Sequence, residues 1–161
     1  MQANGPAEAA SDIERELTLL VRRAQKVSLR GGKLDRPVDR AAYGILGRLC
    51  DAGPQRASAL ADHFYLDAST ISRQVAALEK AGLIQRVADT EDGRASLLQL
   101  TAHGTDVLVA TRSERRRVVR ELLSSWPPTD LTRFATLLAA FNAGLDHQLD
   151  TDHRLNQGAP Q

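Results

Sequence analysis

Short hydroxyl side chains and an arginine lie close together in the middle third of this chain, and their types and spacing suit contact with a polyanion. Ser69, Thr70 and Ser72 lie just before Arg73 within one predicted helix. Short side chains let a helix approach a duplex closely, and the free N–H groups at a helix N-terminus attract a phosphate. Arg73 suits a guanine or a phosphate, and Gln74 could read an adenine. These residues indicate a helix that contacts nucleic acid.

A second set of charged residues lies in the polar loop 89–94, between two short apolar segments of the sequence. Arg94 lies there after Asp92, and an arginine at a hairpin tip can enter a minor groove, where a narrow groove concentrates negative potential. Asp92 could pair with this guanidinium and aim it, while Arg86 on the preceding strand could hold a phosphate. The candidate DNA-contacting residues are therefore Ser69, Thr70, Ser72, Arg73, Gln74, Arg86, Asp92 and Arg94.

Ordinary structural roles for the same residues stay open at this point. A lone arginine on an exposed helix is usually a solvated charge, and Asp-Gly-Arg is common turn chemistry. The segment 56–101 is not net basic, which argues against strong electrostatic binding. The order of elements favours DNA contact, because a helix, a turn, a capped helix, a glycine stop and a hairpin must all coincide.

The elements that position these residues follow from periodicity and turn signals. Within the segment 54–101, two short helices are predicted, with Asp67 as the N-cap of the second and Gly82 as its stop. Two short strands, 83–88 and 95–100, then form a hairpin. This order is that of a winged helix-turn-helix. The apolar residues expected to join the two helices are Leu60, Ala61, Phe64, Ile71, Val75 and Leu78.

Helices are also predicted on both sides of this segment. The first begins at Ser11 or Asp12 and stops near residues 31–32, and a second covers 37–50. After the hairpin, Thr101 caps a helix over about 102–125, and Thr129 caps a last helix that ends near Asp150. The fold class is therefore mainly α with a small β-hairpin wing. The predicted parts are a disordered tail (1–10), N-terminal helices (11–53), the winged core (54–101), C-terminal dimerisation helices (102–150) and a flexible tail (151–161).

The first and last predicted helices carry apolar stripes at heptad-like spacing. These stripes are wider than a helix lying on a small winged domain needs, so we expect them to meet a second copy of the chain. Packing of the same stripes within one chain is the alternative. Two-fold symmetry would place the two DNA-contacting helices roughly 34 Å apart, one turn of DNA.

Composition excludes several other classes of protein. The 161 residues suffice for one domain with a sizeable core, but not for two large ones. No apolar run reaches the roughly 18 residues of a membrane-spanning helix, and no secretory signal is visible, so we expect a cytoplasmic protein without membrane contact. The net charge of +1 says little about partners, because a nearly neutral chain can present a basic face.

Catalytic and metal-binding patterns are missing from the sequence. There is no G-x-S-x-G, phosphate-binding loop or G-x-G-x-x-G motif, so we expect neither an enzyme nor a cofactor. The four histidines are scattered without the spacing of a zinc site. Cys50, the one cysteine, excludes an internal disulfide. It lies at the end of an apolar helical face, so we expect a buried, inert thiol rather than a redox sensor.

The motifs of residues 60–73, 78–86, 89–94 and 100–101 resemble the MarR/SlyA family of bacterial transcriptional regulators. The resemblance covers nearly the whole chain. It implies a homodimer on a pseudo-palindromic operator, with helices in successive major grooves and wings in the flanking minor grooves. The implied major-groove readers are Ser69, Thr70, Ser72, Arg73 and Gln74, with Arg94, supported by Asp92, as the wing-tip contact.

The same resemblance implies a repressor that loses DNA affinity when a small aromatic or anionic effector binds near the junction of the dimer helices and the winged core. No effector site is assigned, because Tyr43, Arg22, Arg23 and Trp126 are as readily core or surface residues. Glu91 departs from the family pattern, which has a basic residue there, and implies a weaker grip or a different pairing in the wing. The alternative function is a winged-helix module that binds a partner protein instead of DNA.

Overall fold

A computed structural model describes residues 5–26, 40–90, 92–93 and 95–157. The described residues form helices and a single antiparallel hairpin, which confirms the predicted fold class. In chain order the elements are α1 (Pro6–Lys26), α2 (Arg40–Ala52), α3 (Ala57–His63), α4 (Ala68–Lys80), β1 (Ile84–Ala88), β2 (Ser96–Leu100), α5 (Ala102–Leu122) and α6 (Pro128–Gln157).

One hydrophobic core joins α2, α3, α4, the hairpin and the first half of α5. The inner face of α4 is buried in it, as predicted from the three- and four-residue spacing. Phe64 packs against the edge of this core and is half-buried. The buried hydrophobic residues are Ile45, Leu46, Leu49, Leu60, Ala61, Ile71, Val75, Leu78, Leu83, Ile84, Leu98, Val107 and Leu108.

The hairpin, which we call the wing, is anchored to the core through β2. Its register runs from Ile84 opposite Leu100 to Ala88 opposite Ser96. Leu98 is completely buried, and its backbone N–H and C=O both bond with Gln55 just before α3. The wing is therefore held on one edge by the segment that leads into α3.

The junction between α4, the wing and α5 is unusually close. Gly82 ends α4 with a φ of 68°, a conformation that glycine adopts readily. The Thr101 hydroxyl donates to the Gly82 carbonyl at 2.6 Å and accepts from the Gly104 N–H at 2.9 Å, which confirms Thr101 as the cap of α5. A Cβ atom on Gly104 would lie 1.9 Å from the carbonyl oxygen of Leu83. Only a glycine allows α5 to pack this tightly.

The ends of the outer helices differ from the predictions. The first helix begins at Pro6 rather than Ser11 or Asp12, so residues 6–10 are helical and not part of a disordered tail. The last helix begins at Pro128, not after a Thr129 cap, and continues past Asp150 to Gln157. Both helices begin at a proline, Pro6 in α1 and Pro128 in α6, and proline fits the first position of a helix well. The predicted end of the first helix near residues 31–32 and the predicted start of the second at residue 37 lie outside the described residues.

The prediction that Cys50 is a buried thiol is wrong, because the structure shows Cys50 exposed. The buried face of α2 is formed by Ile45, Leu46 and Leu49. Cys50 comes one residue after Leu49, and one residue rotates a helix by about 100°, which turns its side chain off that face. The guanidinium of Arg112 lies 3.8 Å from its sulfur.

The described helices include none that is both long enough and apolar enough to cross a membrane. Instead, α1 and α6 combine polar residues with large apolar side chains that are about half exposed in the single chain, such as Leu20 and Leu137. Their apolar surface lies outside the core of the winged segment.

Replacing Gly104 with alanine should destabilise the fold by about 2 to 3 kcal/mol, because the new methyl group would overlap backbone that cannot move away easily. Gly144→Ala on α6 is the matched control, since a Cβ there meets nothing within 4 Å. The control should be neutral or stabilise by about 0.5 to 1 kcal/mol. Urea unfolding followed by circular dichroism measures both, and equal midpoints for the two variants would contradict the close junction.

Candidate nucleic-acid interface

The N-terminus of α4 is organised by Asp67. Its Oδ1 accepts hydrogen bonds from the Thr70 N–H at 2.8 Å and from the Ser69 hydroxyl at 2.6 Å, and its Oδ2 accepts from the Thr70 hydroxyl at 2.7 Å. These hydrogen bonds, first from Ser69 and then from Thr70, hold the pKa of Asp67 well below its usual range. Asp67 is the predicted N-cap, and it also fixes the hydroxyl groups of two predicted DNA-contacting residues.

Arg73 extends this arrangement along the exposed face of α4. Its Nη2 donates to the Thr70 hydroxyl oxygen at 3.2 Å, so Thr70 accepts from Arg73 and donates to Asp67 at once. Ser72 is exposed beside Arg73, and Gln74 is half-buried. The structure therefore places Ser69, Ser72 and Arg73 on the exposed side of α4, whereas Thr70 and Gln74 are partly buried.

Arg86 lies at the other end of α4. Its Nε donates to Glu79 Oε1 at 2.9 Å and its Nη1 donates to the Ser96 hydroxyl at 3.2 Å. The side chain is about half exposed, but much of its charge is met by Glu79. Arg86 thus ties β1 to α4, and its predicted phosphate contact would need the guanidinium to be shared with Glu79 or released from it.

The wing places Asp92 next to an arginine that the sequence had not singled out. Asp92 Oδ2 lies 3.4 Å from Arg56 Nη2, and the same guanidinium donates to Asp89 at 2.9 and 2.6 Å. Arg94 and Glu91 lie outside the described residues. The pairing of Asp92 with Arg94, and the effect of Glu91 on the wing, therefore stay predictions.

The turn between α3 and α4 also touches the last helix. Tyr65 has a φ of 52°, and its hydroxyl donates to Asp150 Oδ1 at 2.5 Å. Two residues earlier, the pKa of His63 is lowered by partial burial and by the charge of Arg48, while Asp146 on α6 acts in the opposite direction. The end of α6 is thereby linked to the turn that sets the entry of α4.

A basic pocket lies away from this surface, between α2 and α5. The Arg115 guanidinium lies 3.6 Å from the centre of the Tyr43 ring, and Arg112 is paired with both oxygens of Asp51 at 3.0 and 3.1 Å, which raises the pKa of Arg112. The buried Nε of Arg115 has no hydrogen-bond partner among the described residues. The cavity measures about 690 Å³ and is lined by Tyr43, Arg112, Ser113, Arg115, Arg116, Val119 and Arg120.

Tyr43 was one possible pocket residue predicted from the sequence, but the α5 arginines were not predicted to lie there. Their spacing carried a signal, since Arg112, Arg116 and Arg120 recur every four residues along one side of the helix. Arg22 lines a separate shallow cavity on α1, and Trp126 packs against Phe134 with 5.4 Å between ring centres. Within the described ranges, no group of three or more His, Cys, Asp or Glu residues could hold a metal ion.

Comparison with known sequences gives consistent results. The MarR family model matches residues 39–96, which include α2, α3, α4 and most of the wing. The uncharacterised HTH-type transcriptional regulator YxaD of Bacillus subtilis is 38% identical over 142 residues, which make up 88% of this chain and 96% of YxaD.

Comparison with solved structures shows the same fold. A MarR family protein from Bacillus stearothermophilus superposes with a TM-score of 0.77 at 18% identity, and the match covers 89% of this chain and 99% of that one. The transcriptional regulator BldR of Sulfolobus solfataricus superposes with a TM-score of 0.69 at 23% identity, with the same coverage of both chains.

The Asp67 cap of α4 should make the stability of the protein depend on pH, and removing the cap should remove that part of the dependence. Asp67 has a lowered pKa in the fold, so its cap stabilises the protein fully above its ordinary value of 3.8, and this contribution is lost as the pH falls toward the folded pKa. Asp67→Ala should therefore lower the urea midpoint at pH 7, with a difference from the parent that shrinks below about pH 4. Asp67→Asn should unfold at a urea concentration close to that of the parent at pH 7, because asparagine also caps helices. A difference that grows on acidification would contradict this role.

Proposed function

This chain belongs to the MarR family of transcriptional regulators, and we propose that it binds a pseudo-palindromic DNA operator as a homodimer and represses transcription until a small ligand binds. The observation that carries the proposal is the exposed N-terminal half of α4, where Asp67 holds the hydroxyls of Ser69 and Thr70 and Arg73 extends from the same network. Such a protein would act in the cytoplasm, where bacterial DNA lies. The chemistry proposed for it is binding and not catalysis.

The α4 surface suits the floor of a major groove. Ala68, Ser69 and Ser72 are small and exposed, so the first turn of the helix can approach base edges and backbone closely. Arg73 then supplies a two-pronged donor one turn further on, which matches the O6 and N7 atoms of guanine. Because its guanidinium is already steered by Thr70, less freedom would be lost when it meets a base.

The wing would supply the flanking contact. Arg94 at its tip would enter a minor groove, while Arg86 at its base would approach a phosphate next to the end of α4. The Glu79 partner makes Arg86 a weaker phosphate ligand than a free arginine, since part of its charge is already neutralised. We therefore assign sequence reading mainly to α4 and positioning mainly to the wing.

Dimerisation is proposed from the apolar surface of α1 and α6. Phe134, Leu138, Phe141 and Leu145 recur at steps of four and three along α6, and each is at least 40% exposed in the single chain. Soluble proteins rarely leave such a continuous apolar stripe in water. A second copy related by two-fold symmetry would cover the stripe and set the two α4 helices about one DNA turn apart.

The effector response is proposed from the basic pocket between α2 and α5. Four arginines and a tyrosine line it, and the buried Nε of Arg115 is a donor that an anionic ligand could satisfy. A ligand there would touch α5, which packs on α2 and on the wing strand β2. Binding that favours one arrangement of these elements over another would change the affinity for DNA.

A partner-protein module remains the second candidate function, and the ion pairs of the winged core favour it. Arg86 and Arg56 are both met by acidic residues of the same chain, so less positive charge is available to phosphates. The two candidates differ in their response to salt. DNA binding releases counterions and weakens steeply as salt rises, whereas an apolar protein contact does not.

A DNA titration tests the main proposal. With the promoter region beside the protein's own gene, we expect sequence-selective binding that weakens as salt concentration rises. Arg73→Ala should lower the affinity for the specific site by about 1 to 3 kcal/mol and leave non-specific binding less affected. Arg117→Ala, which removes an arginine paired with Glu114 and Glu121 on α5, is the matched control and should bind like the parent. Equal loss in both variants, or binding insensitive to salt, would contradict the proposal.

Sedimentation tests the homodimer. The parent should behave as two 17.5 kDa chains at micromolar concentration, and Phe141→Glu should shift it toward the single chain by placing a charge in the apolar stripe. Asn142→Glu, at the neighbouring exposed position, should stay dimeric. A parent that sediments as one chain, or two variants that dissociate alike, would overturn this assembly.

A further inference from the structure

The base of the wing is held by an arginine from a different part of the core. Arg56 precedes α3, and its Nε and Nη2 both donate to Asp89 Oδ2, at 2.9 and 2.6 Å. The same Nη2 lies 3.4 Å from Asp92 Oδ2. One guanidinium therefore meets two carboxylates of the loop that joins β1 and β2, one on its first residue and one three residues further on.

The three charged side chains of this group differ in how deeply they are buried. The Asp89 side chain is only 8% exposed, whereas those of Arg56 and Asp92 are about half exposed. A buried carboxylate is unfavourable unless an opposite charge and hydrogen bonds compensate for lost water. The Arg56 guanidinium therefore compensates part of the cost of burying the Asp89 carboxylate.

The backbone around both partners is tied to the wing. The Asp89 N–H donates to the Ala95 carbonyl at 3.2 Å, and the Ala95 N–H donates to the Asp92 carbonyl at 2.8 Å. On the other side, Gln55 exchanges two backbone hydrogen bonds with Leu98 of β2, and the Arg56 carbonyl accepts from Leu60 in α3. Arg56 therefore connects the start of α3 with the loop of the wing.

We propose that Arg56 is a positioning residue for DNA binding, which fixes the angle of the wing by holding Asp89 and Asp92 and so directs its tip into the minor groove. The inference rests on the proposed function, since it concerns how the wing reaches DNA. It assigns Asp92 a role that differs from aiming Arg94 directly. Asp92 helps to fix the loop that carries the tip.

A purely electrostatic role and a positioning role for Asp89 predict opposite effects of Asp89→Asn on DNA affinity. Asp89 is negative and lies in the element that approaches DNA, so removing its charge should strengthen binding if only the net charge matters. If Asp89 serves to hold the wing through Arg56, the same removal should weaken binding. Asp89→Asn therefore separates the two explanations by the direction of its effect.

The experiment compares Arg56→Gln, Asp89→Asn and Asp92→Asn with two controls that make the same charge changes elsewhere. Arg117→Gln removes a paired arginine on α5, and Asp62→Asn removes an exposed carboxylate on α3. Affinity, hydroxyl-radical protection of the sugars and methylation protection of guanine N7 are measured on the DNA that the parent binds. Amide exchange at Asp89 and Ala95 is measured by NMR in the free protein, so the wing is also tested without DNA.

We expect each of the three wing variants to exchange these two amides faster than the parent and to bind DNA about tenfold more weakly, which is about 1.4 kcal/mol. Hydroxyl-radical protection should fade in the flanking minor grooves, while protection of guanine N7 from methylation in the major groove persists. Arg56→Lys should recover part of the affinity, because it restores the charge without the two-pronged geometry. Changes at Asp89 or Arg56 disturb a buried ion pair and could unfold the protein. Asp92 is about half exposed, so Asp92→Asn should stay folded and still tests the inference.

Two results would overturn the inference. Tighter binding by Asp89→Asn together with weaker binding by Arg56→Gln would show that Arg56 contacts a phosphate itself. Unchanged amide exchange and unchanged minor-groove protection in all three variants would show that the ion pairs do not position the wing. Failure of the parent to bind any DNA would instead refute the proposed function, and the amide exchange would still decide whether Arg56 holds the loop.

Discussion

The placement of α4 depends on one constraint, which is that only one of its faces can be buried. Ile71, Val75 and Leu78 fill the core against α3, and together they leave the opposite side of the helix in water. Burial of such side chains is worth about 1.5 to 3 kcal/mol each, so rotation of α4 about its axis would be strongly unfavourable. The direction of Arg73 and the exposed hydroxyls is thus a consequence of the core. The Asp67 cap then fixes the first turn of α4 through its hydrogen bond with the Thr70 N–H.

Contacts at both ends of α4 hold this helix in place relative to α5 and α6. Thr101 and Gly104 join α5 closely to the end of α4, and Tyr65 links the start of α4 to Asp150 on α6. The helices α5 and α6 therefore each contact one end of α4. In the proposed dimer, a change in how α5 and α6 pack would shift α4, and this would give the proposed ligand a physical route to DNA affinity.

The sequence predicted the parts of the fold that local signals determine. Asp67, Gly82 and Thr101 were identified as caps and stops because each acts within a few residues of its own position. The Arg56–Asp89 pair spans 33 residues and the Tyr65–Asp150 contact spans 85, so no periodicity could reveal either one. The prediction that Cys50 is buried was wrong for a related reason, since its exposure depends on the exact rotation of α2 in the core. The predicted readers on α4 were placed together because one helix carries them all.

The central claim is that the N-terminal half of α4 lies in a major groove of DNA. Protection of guanine N7 from methylation tests it most directly, because this atom is accessible only from the major groove. With the protein bound to its operator, we expect two sets of protected guanines about one helical turn apart. A stable complex in which every guanine N7 stays reactive would contradict it.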